Sequence, residues 1–158
     1  MKQVLAAAFC MALASTAQAG GTYDSTGTVV GQSTSSIHAL QDGHLVLELR
    51  STHDAFQMAA ADHPFSGMSG SCTGAAEIRG ASATGGGMCV YTSADGSMAV
   101  NRWTVTGLGA DGAFEGHWVM IAGNGKMEGL TGGGTYRSLT NPETGAQHIT
   151  LTGAITKP

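Results

Sequence analysis

Beyond residue 40 the chain alternates apolar and polar side chains with a period of two. Leu45, Leu47 and Leu49 fall on one face of an extended segment, Val46, Glu48 and Arg50 on the other. Met98, Val100 and Arg102 oppose Ala99, Asn101, Trp103 and Val105. Phe114, Gly116, Trp118 and Met120 oppose Glu115, His117, Val119 and Ile121, and Ile149, Leu151 and Ile155 oppose His148, Thr150 and Thr152. Successive side chains of a strand leave opposite faces of the sheet, so this pattern predicts half-buried strands. Segments 26–32, 71–78 and 87–92 bring the expected number to about eight. A single stretch, 54–62, suits one or two helical turns.

Turn chemistry separates these runs. Asp42-Gly43, Asp95-Gly96 and Asp111-Gly112 supply the positive φ that tight hairpins need, and 83–86 and 141–145 carry further turn residues. Short links imply antiparallel neighbours. An open sheet of this length would present unpaired edges, and closing it removes them. The expected fold is all-β: a single antiparallel up-and-down β-barrel of about eight strands, occupying 20–158 with no second domain.

Composition sharpens this in three ways. All 25 glycines lie beyond residue 19 and only 3 prolines occur, which fits many strands joined by tight turns. The 7 basic residues are scattered against 11 acidic ones, a formal net charge of −4, so neither nucleic acid nor an anionic membrane is an expected partner. Lys2, the apolar run 4–14 and Ala17-Gln18-Ala19 have the layout of a signal peptide, 1–19, with the mature chain starting at Gly20. The run is too short for a spanning helix, so membrane insertion is not expected. Cys10 would leave with the leader. A periplasmic or secreted location follows.

Two cysteines then remain, Cys72 and Cys89, 17 positions apart. An even count in an exported chain points to a bridge, which would tie one hairpin and contribute roughly 3 kcal/mol through loop closure. Free thiols or half of a metal site are the alternatives, though no CxxC pair completes a zinc tetrad.

The run 123–136, Gly-Asn-Gly-Lys-Met-Glu-Gly-Leu-Thr-Gly-Gly-Gly-Thr-Tyr, resembles a glycine motif of the allene oxide cyclase-like and dirigent-like β-barrels. Cys72-Thr73-Gly74, Gly87-Met88-Cys89 and Asp95-Gly96 form a weaker second element, similar to a cysteine-bearing bacterial branch. The resemblance covers roughly residue 70 to the end. It implies a cofactor-independent lumen for an apolar small molecule. Glycine motifs fix turns rather than chemistry, so no catalytic residue carries over.

Candidate chemistry is therefore read from the residues. Glu115 and His117 share a strand face, roughly 7 Å apart. If that face is inward they could act as an acid/base pair; if outward, both are solvated. Glu77 beside Arg79, with Arg102 on another strand, could place charge on a polarised oxygen, or form ordinary surface pairs. These four, Glu115, His117, Glu77 and Arg102, are the candidate catalytic set for a cofactor-free isomerisation, cyclisation or lyase step. Trp103, Trp118, Tyr91 and Tyr136 either line a ligand pocket or pack a solid core. His53-Asp54 and Asp62-His63 lack metal-ligand spacing and are expected, with Pro64 and Phe65, to form a lip over one barrel mouth. No metal and no cofactor is implied. A non-catalytic carrier or an envelope interaction protein is the rival reading. Apolar residues on both faces of several strands also raise homo-oligomerisation.

Overall fold

A computed structural model describes residues 20–158. The expected signal peptide and Cys10 lie outside the described residues. The alternating segments form ten strands: β1 (Thr22–Asp24), β2 (Gly27–Gln41), β3 (His44–His53), β4 (Gln57–Met58), β5 (Ser69–Arg79), β6 (Ser82–Thr92), β7 (Met98–Leu108), β8 (Phe114–Gly123), β9 (Thr131–Thr140) and β10 (Ala146–Thr156).

Eight of them, β2-β3-β5-β6-β7-β8-β9-β10, pair antiparallel with their neighbours in chain order, and β10 returns to β2. The closing register runs from Gly27 against Leu151 to Gln32 against Ala146. The protein is a closed antiparallel eight-stranded barrel, as the alternation and turns predict. β1 continues along the far half of β10, with Thr22 opposite Thr156. Between β1 and β2, the Asp24 carboxylate accepts from the Thr26 amide (2.9 Å) and hydroxyl (2.7 Å), which sets the break.

Two expectations need correction. The first strand reaches Gln41 rather than residue 32. Its register with β10 stops at Gln32, the Ser33 amide adds one bond to the Gly145 carbonyl (2.8 Å), and the rest is held by β3 alone, so the β2–β3 hairpin overhangs the barrel. The 54–62 stretch is not helical. It contains β4 and turns, because Phe56 and Phe65 are drawn into the barrel interior, a demand that outweighs local propensity.

The two ends of the barrel differ. Turns 42–43, 80–81, 109–113 and 141–145 lie at one end; the links 54–68, 93–97 and 124–130, two of them longer, lie at the other with both described termini. The long links plug that end. Phe65, Met68, Met127 and Ile155 are its fully buried side chains. The glycine-rich run works here: a short 3-10 helix, Gly125–Met127, inserts Met127, and Leu130 follows it into the core. The Lys126 amide donates to Ser97 Oγ (3.1 Å), the Met98 amide to Asn124 Oδ1 (2.7 Å), and Lys126 Nζ pairs with Asp95 (2.6 Å). The motif thus clamps the β6–β7 link to the barrel end.

Cys72 and Cys89 stand directly opposite in the β5–β6 register and are bridged. The disulfide ties one hairpin, as expected.

Candidate functional site

The interior face of each strand follows from its bulk. On β8, Trp118 and Met120 are buried while Glu115 and His117 are exposed; on β7, Ala99, Asn101 and Val105 are buried while Arg102 is exposed. Lumen and exterior are thereby fixed strand by strand. A cavity of about 110 Å³ runs inside the barrel, above the plug, and all four sequence-predicted aromatic residues, Trp103, Trp118, Tyr91 and Tyr136, line it.

The walls are of two kinds. On β5–β8 the lining is mostly apolar, the Cys72–Cys89 bridge, Trp103, Phe114 and Trp118, with Thr73, Tyr91 and Asn101 as its polar members. Phe65 rises from the plug to within 6.0 Å of the Trp118 ring, and Phe56 meets the Tyr91 ring edge-on at 4.7 Å. The Trp118 indole N–H donates to the Thr152 carbonyl (3.1 Å). Trp103 has room because Gly74 and Gly87 face each other beneath it. A Cβ on either would fall 2.4 or 2.6 Å from the indole Cζ2, closer than atoms approach.

On β3, β2, β10 and β9 apolar Val29, Leu49, Ile149 and Leu151 alternate with polar, uncharged groups. His53 Nε2 lies 3.0 Å from Gln147 Oε1, and the Gln147 amide donates to Ser138 Oγ (2.9 Å). Since Oε1 can only accept, the His53 proton sits on Nε2 and leaves Nδ1 a bare acceptor. Tyr91 donates its hydroxyl to Nδ1 at 3.0 Å. Cys72 Sγ lies 3.4 Å from that hydroxyl. The result is one directed chain, Tyr91 to His53 to Gln147 to Ser138. Burial pushes the His53 pKa below its ordinary value and the Tyr91 pKa above its own, so both groups are neutral near pH 7. Ser51 donates to Ser33 (3.2 Å) on the same wall.

The plug carries a second buried imidazole. The Phe65 amide donates to His63 Nδ1 (3.1 Å), so Nε2 bears the proton and donates to Ser25 Oγ (3.1 Å). Burial, opposed by Asp24 and Asp62, lowers the His63 pKa. His53 therefore belongs to the interior, while His63 is buried in the 54–68 link that covers one barrel mouth, where the lip was expected. Among the described residues no group of three His, Cys, Asp or Glu side chains could hold a metal ion.

The four candidate acid/base residues are not brought together. Glu115 is half-exposed and faces Arg137 Nε at 3.5 Å on the outer surface. His117 and Arg102 are exposed on the outer faces of β8 and β7. Glu77 also faces outward, where the Arg79 guanidinium (2.7 Å) and then the His44 imidazole (2.7 Å) hold its carboxyl below the usual range. The inward placement that acid/base work required of Glu115 and His117 is thus replaced by a solvated one. Val119 and Ile121 made their face look like a core, yet β8 turns it outward in favour of the larger Trp118.

The polar wall escaped sequence reading. Gln147 extends the inward series Ile149 and Leu151 by one step, and Ser138 follows Tyr136 on β9. Polar residues at inward parity were the available signal. Asn101 and Trp103 are a further case: among the described residues, Asn101 Oδ1 and Trp103 Nε1 are buried without a hydrogen-bond partner.

The chain matches no protein-family model and no curated protein. Among the described residues no helix is long and apolar enough to cross a membrane.

Proposed function

We propose that this barrel is an exported binding protein that holds an apolar or aromatic small molecule in its lumen, and that it acts as a carrier rather than as a catalyst. The single observation behind this is the cavity itself: about 110 Å³, walled by two indoles and a disulfide, inside a plugged barrel. An apolar cavity of roughly 150 Å³ binds benzene, and this lumen is somewhat smaller, which sets the ligand at no more than about one ring. The disulfide, the leader-like layout of 1–19 and the resemblance to allene oxide cyclase-like and dirigent-like barrels support export and lumen binding. The carrier reading is favoured because the candidate acid/base groups stand on the outer surface, while the interior offers neutral His53 and Tyr91.

Trp103 and Trp118 are the chain's two tryptophans and both line the cavity, so occupancy has an internal reporter. Toluene added to the purified protein is expected to change the tryptophan emission saturably and raise Tm. A ligand at a hundredfold its Kd contributes about 2.7 kcal/mol. If neither signal moves with any single-ring hydrocarbon, the lumen is not a binding site.

A second reading, interaction with other proteins or with copies of itself, is favoured by exposed Met88, Val90 and Ile121 on the outer face of β6–β8 and by Ile37 and Leu40 on the overhang. Sedimentation of the free protein distinguishes it.

A further inference from the structure

The hydrogen-bond directions inside the cavity say more about the ligand than its size does. Each chain on the polar wall runs one way. Tyr91 donates to His53, His53 to Gln147 and Gln147 to Ser138. Ser138 Oγ receives that bond, and its own hydroxyl proton is unspent among the described residues, although the residue is only 8% exposed. Ser51 likewise donates to Ser33, whose hydroxyl proton is also left over. Both serines line the cavity, on β9 and β2, to either side of β10. Only the first of these chains is buried at its end: Ser33 is half-buried and level with the β9–β10 turn, its amide on the Gly145 carbonyl, roughly 13 Å further along the strands than Ser138, which leaves the Ser138 hydroxyl as the donor inside the lumen.

Charge narrows the class again. Among the described residues that wall the cavity none is acidic or basic apart from His53, which its surroundings keep neutral. A carboxylate or an ammonium brought inside would lose its water and meet no counter-charge, which costs far more than an unmatched dipole. The opposite wall, Trp103 and Trp118, offers flat apolar surface.

We infer that the lumen selects a neutral, single-ring molecule carrying a carbonyl-type acceptor oxygen, with the ring against Trp103 and Trp118 and the oxygen accepting from the hydroxyl of Ser138. This rests on the lumen-binding reading above and adds the polarity of the ligand's head group.

The test uses four molecules of equal heavy-atom count: isopropylbenzene, acetophenone, benzoate and benzamidinium, titrated into the full-length mature protein with tryptophan emission and calorimetry as readouts. Acetophenone is expected to bind at least about tenfold more tightly than isopropylbenzene, the range of one well-placed hydrogen bond. Benzoate and benzamidinium are expected to bind more weakly than either. Ser138→Ala should erase most of the acetophenone advantage over isopropylbenzene, with far-UV circular dichroism and Tm of the variant reporting an intact fold. Equal affinity for acetophenone and isopropylbenzene, or tightest binding by a charged analogue, would overturn the acceptor assignment and leave the lumen reading standing. Failure of all four to bind would overturn both.

Discussion

At the scale of single residues, β7 holds the most informative conflict. Asn101 places an amide oxygen in a buried position where, among the described residues, no donor reaches it, two residues from a Trp103 N–H that finds no acceptor among them. Both stand next to a register shift at Val100/Asn101, where Ile121 of β8 is left without a partner and turns outward, exposed. An unmatched buried polar atom costs about 1–3 kcal/mol, and an apolar replacement of similar shape removes that cost. Asn101→Leu is therefore expected to stabilise the ligand-free barrel by about 1 kcal/mol, read as a shift of the urea midpoint at unchanged slope. A lower midpoint would mean that the amide is matched in solution and that its burial is no defect. Such positions are where local rules give way to something else the fold requires.

At the scale of elements, the plug ties stability to pH. His63 fixes the 54–68 link to Ser25, and His53 joins β3 to β10 through Gln147. Both imidazoles have pKa values lowered by burial, against about 6.5 in an unfolded chain. Between the lowered and the ordinary values the unfolded chain binds more protons than the folded one, so stability rises with pH there. Tm is expected to hold above about pH 7 and to fall as pH drops from about 6.5 to the lowered values, with no further loss from these groups below them. The carboxylates of Asp95, Asp24, Glu77 and Asp111, all lowered by their partners, act in a separate and more acidic window. A scan by circular dichroism checks the first window, and His63→Gln should flatten it. A Tm indifferent to pH between 7.5 and 5 would show that neither imidazole is held neutral.

The same elements show what could be read from sequence and what could not. Strands with strict alternation, such as β7 and β8, and the Asp-Gly turns at residues 43, 96 and 112 were legible because each is a local rule. All three glycines do take positive φ. The overhang of β2 was not legible, since residues 33–41 carry little alternation and are strand only because β3 pairs with them. The plug was legible only as a lip over one mouth, for the same reason: its Phe56 and Phe65 contacts are made with residues distant in sequence. Which face is the lumen depends on competition between Trp118 and Val119 across one strand. That choice decided the fate of Glu115 and His117, and with it the four-residue acid/base set.

At the scale of the whole molecule, the consequence of closure is that β10 has no free edge. It pairs with β9 along Gln147–Thr156 on one side, and with β2 and then β1 on the other. An open sheet would instead leave β2 and β10 as its two frayed borders, the least protected strands. The barrel predicts the reverse for hydrogen exchange. Amides in the middle of β10 and in the first half of β2 should exchange only through global unfolding, at rates that track the unfolding free energy. Amides near the overhang tip, from Ser35 to Gln41, have β3 on one side and solvent on the other, so they should exchange through local fraying, orders of magnitude faster. The contrast lies within a single strand and is insensitive to overall stability, because both halves of β2 share one global unfolding event. Were Val29 and Gly31, whose amides face β10, to exchange as rapidly as Ile37 and Ala39, β2 and β10 would not be joined. The lumen would then have no continuous wall, and the polar chain from Tyr91 through His53 to Gln147 and Ser138, which crosses that seam, could not form.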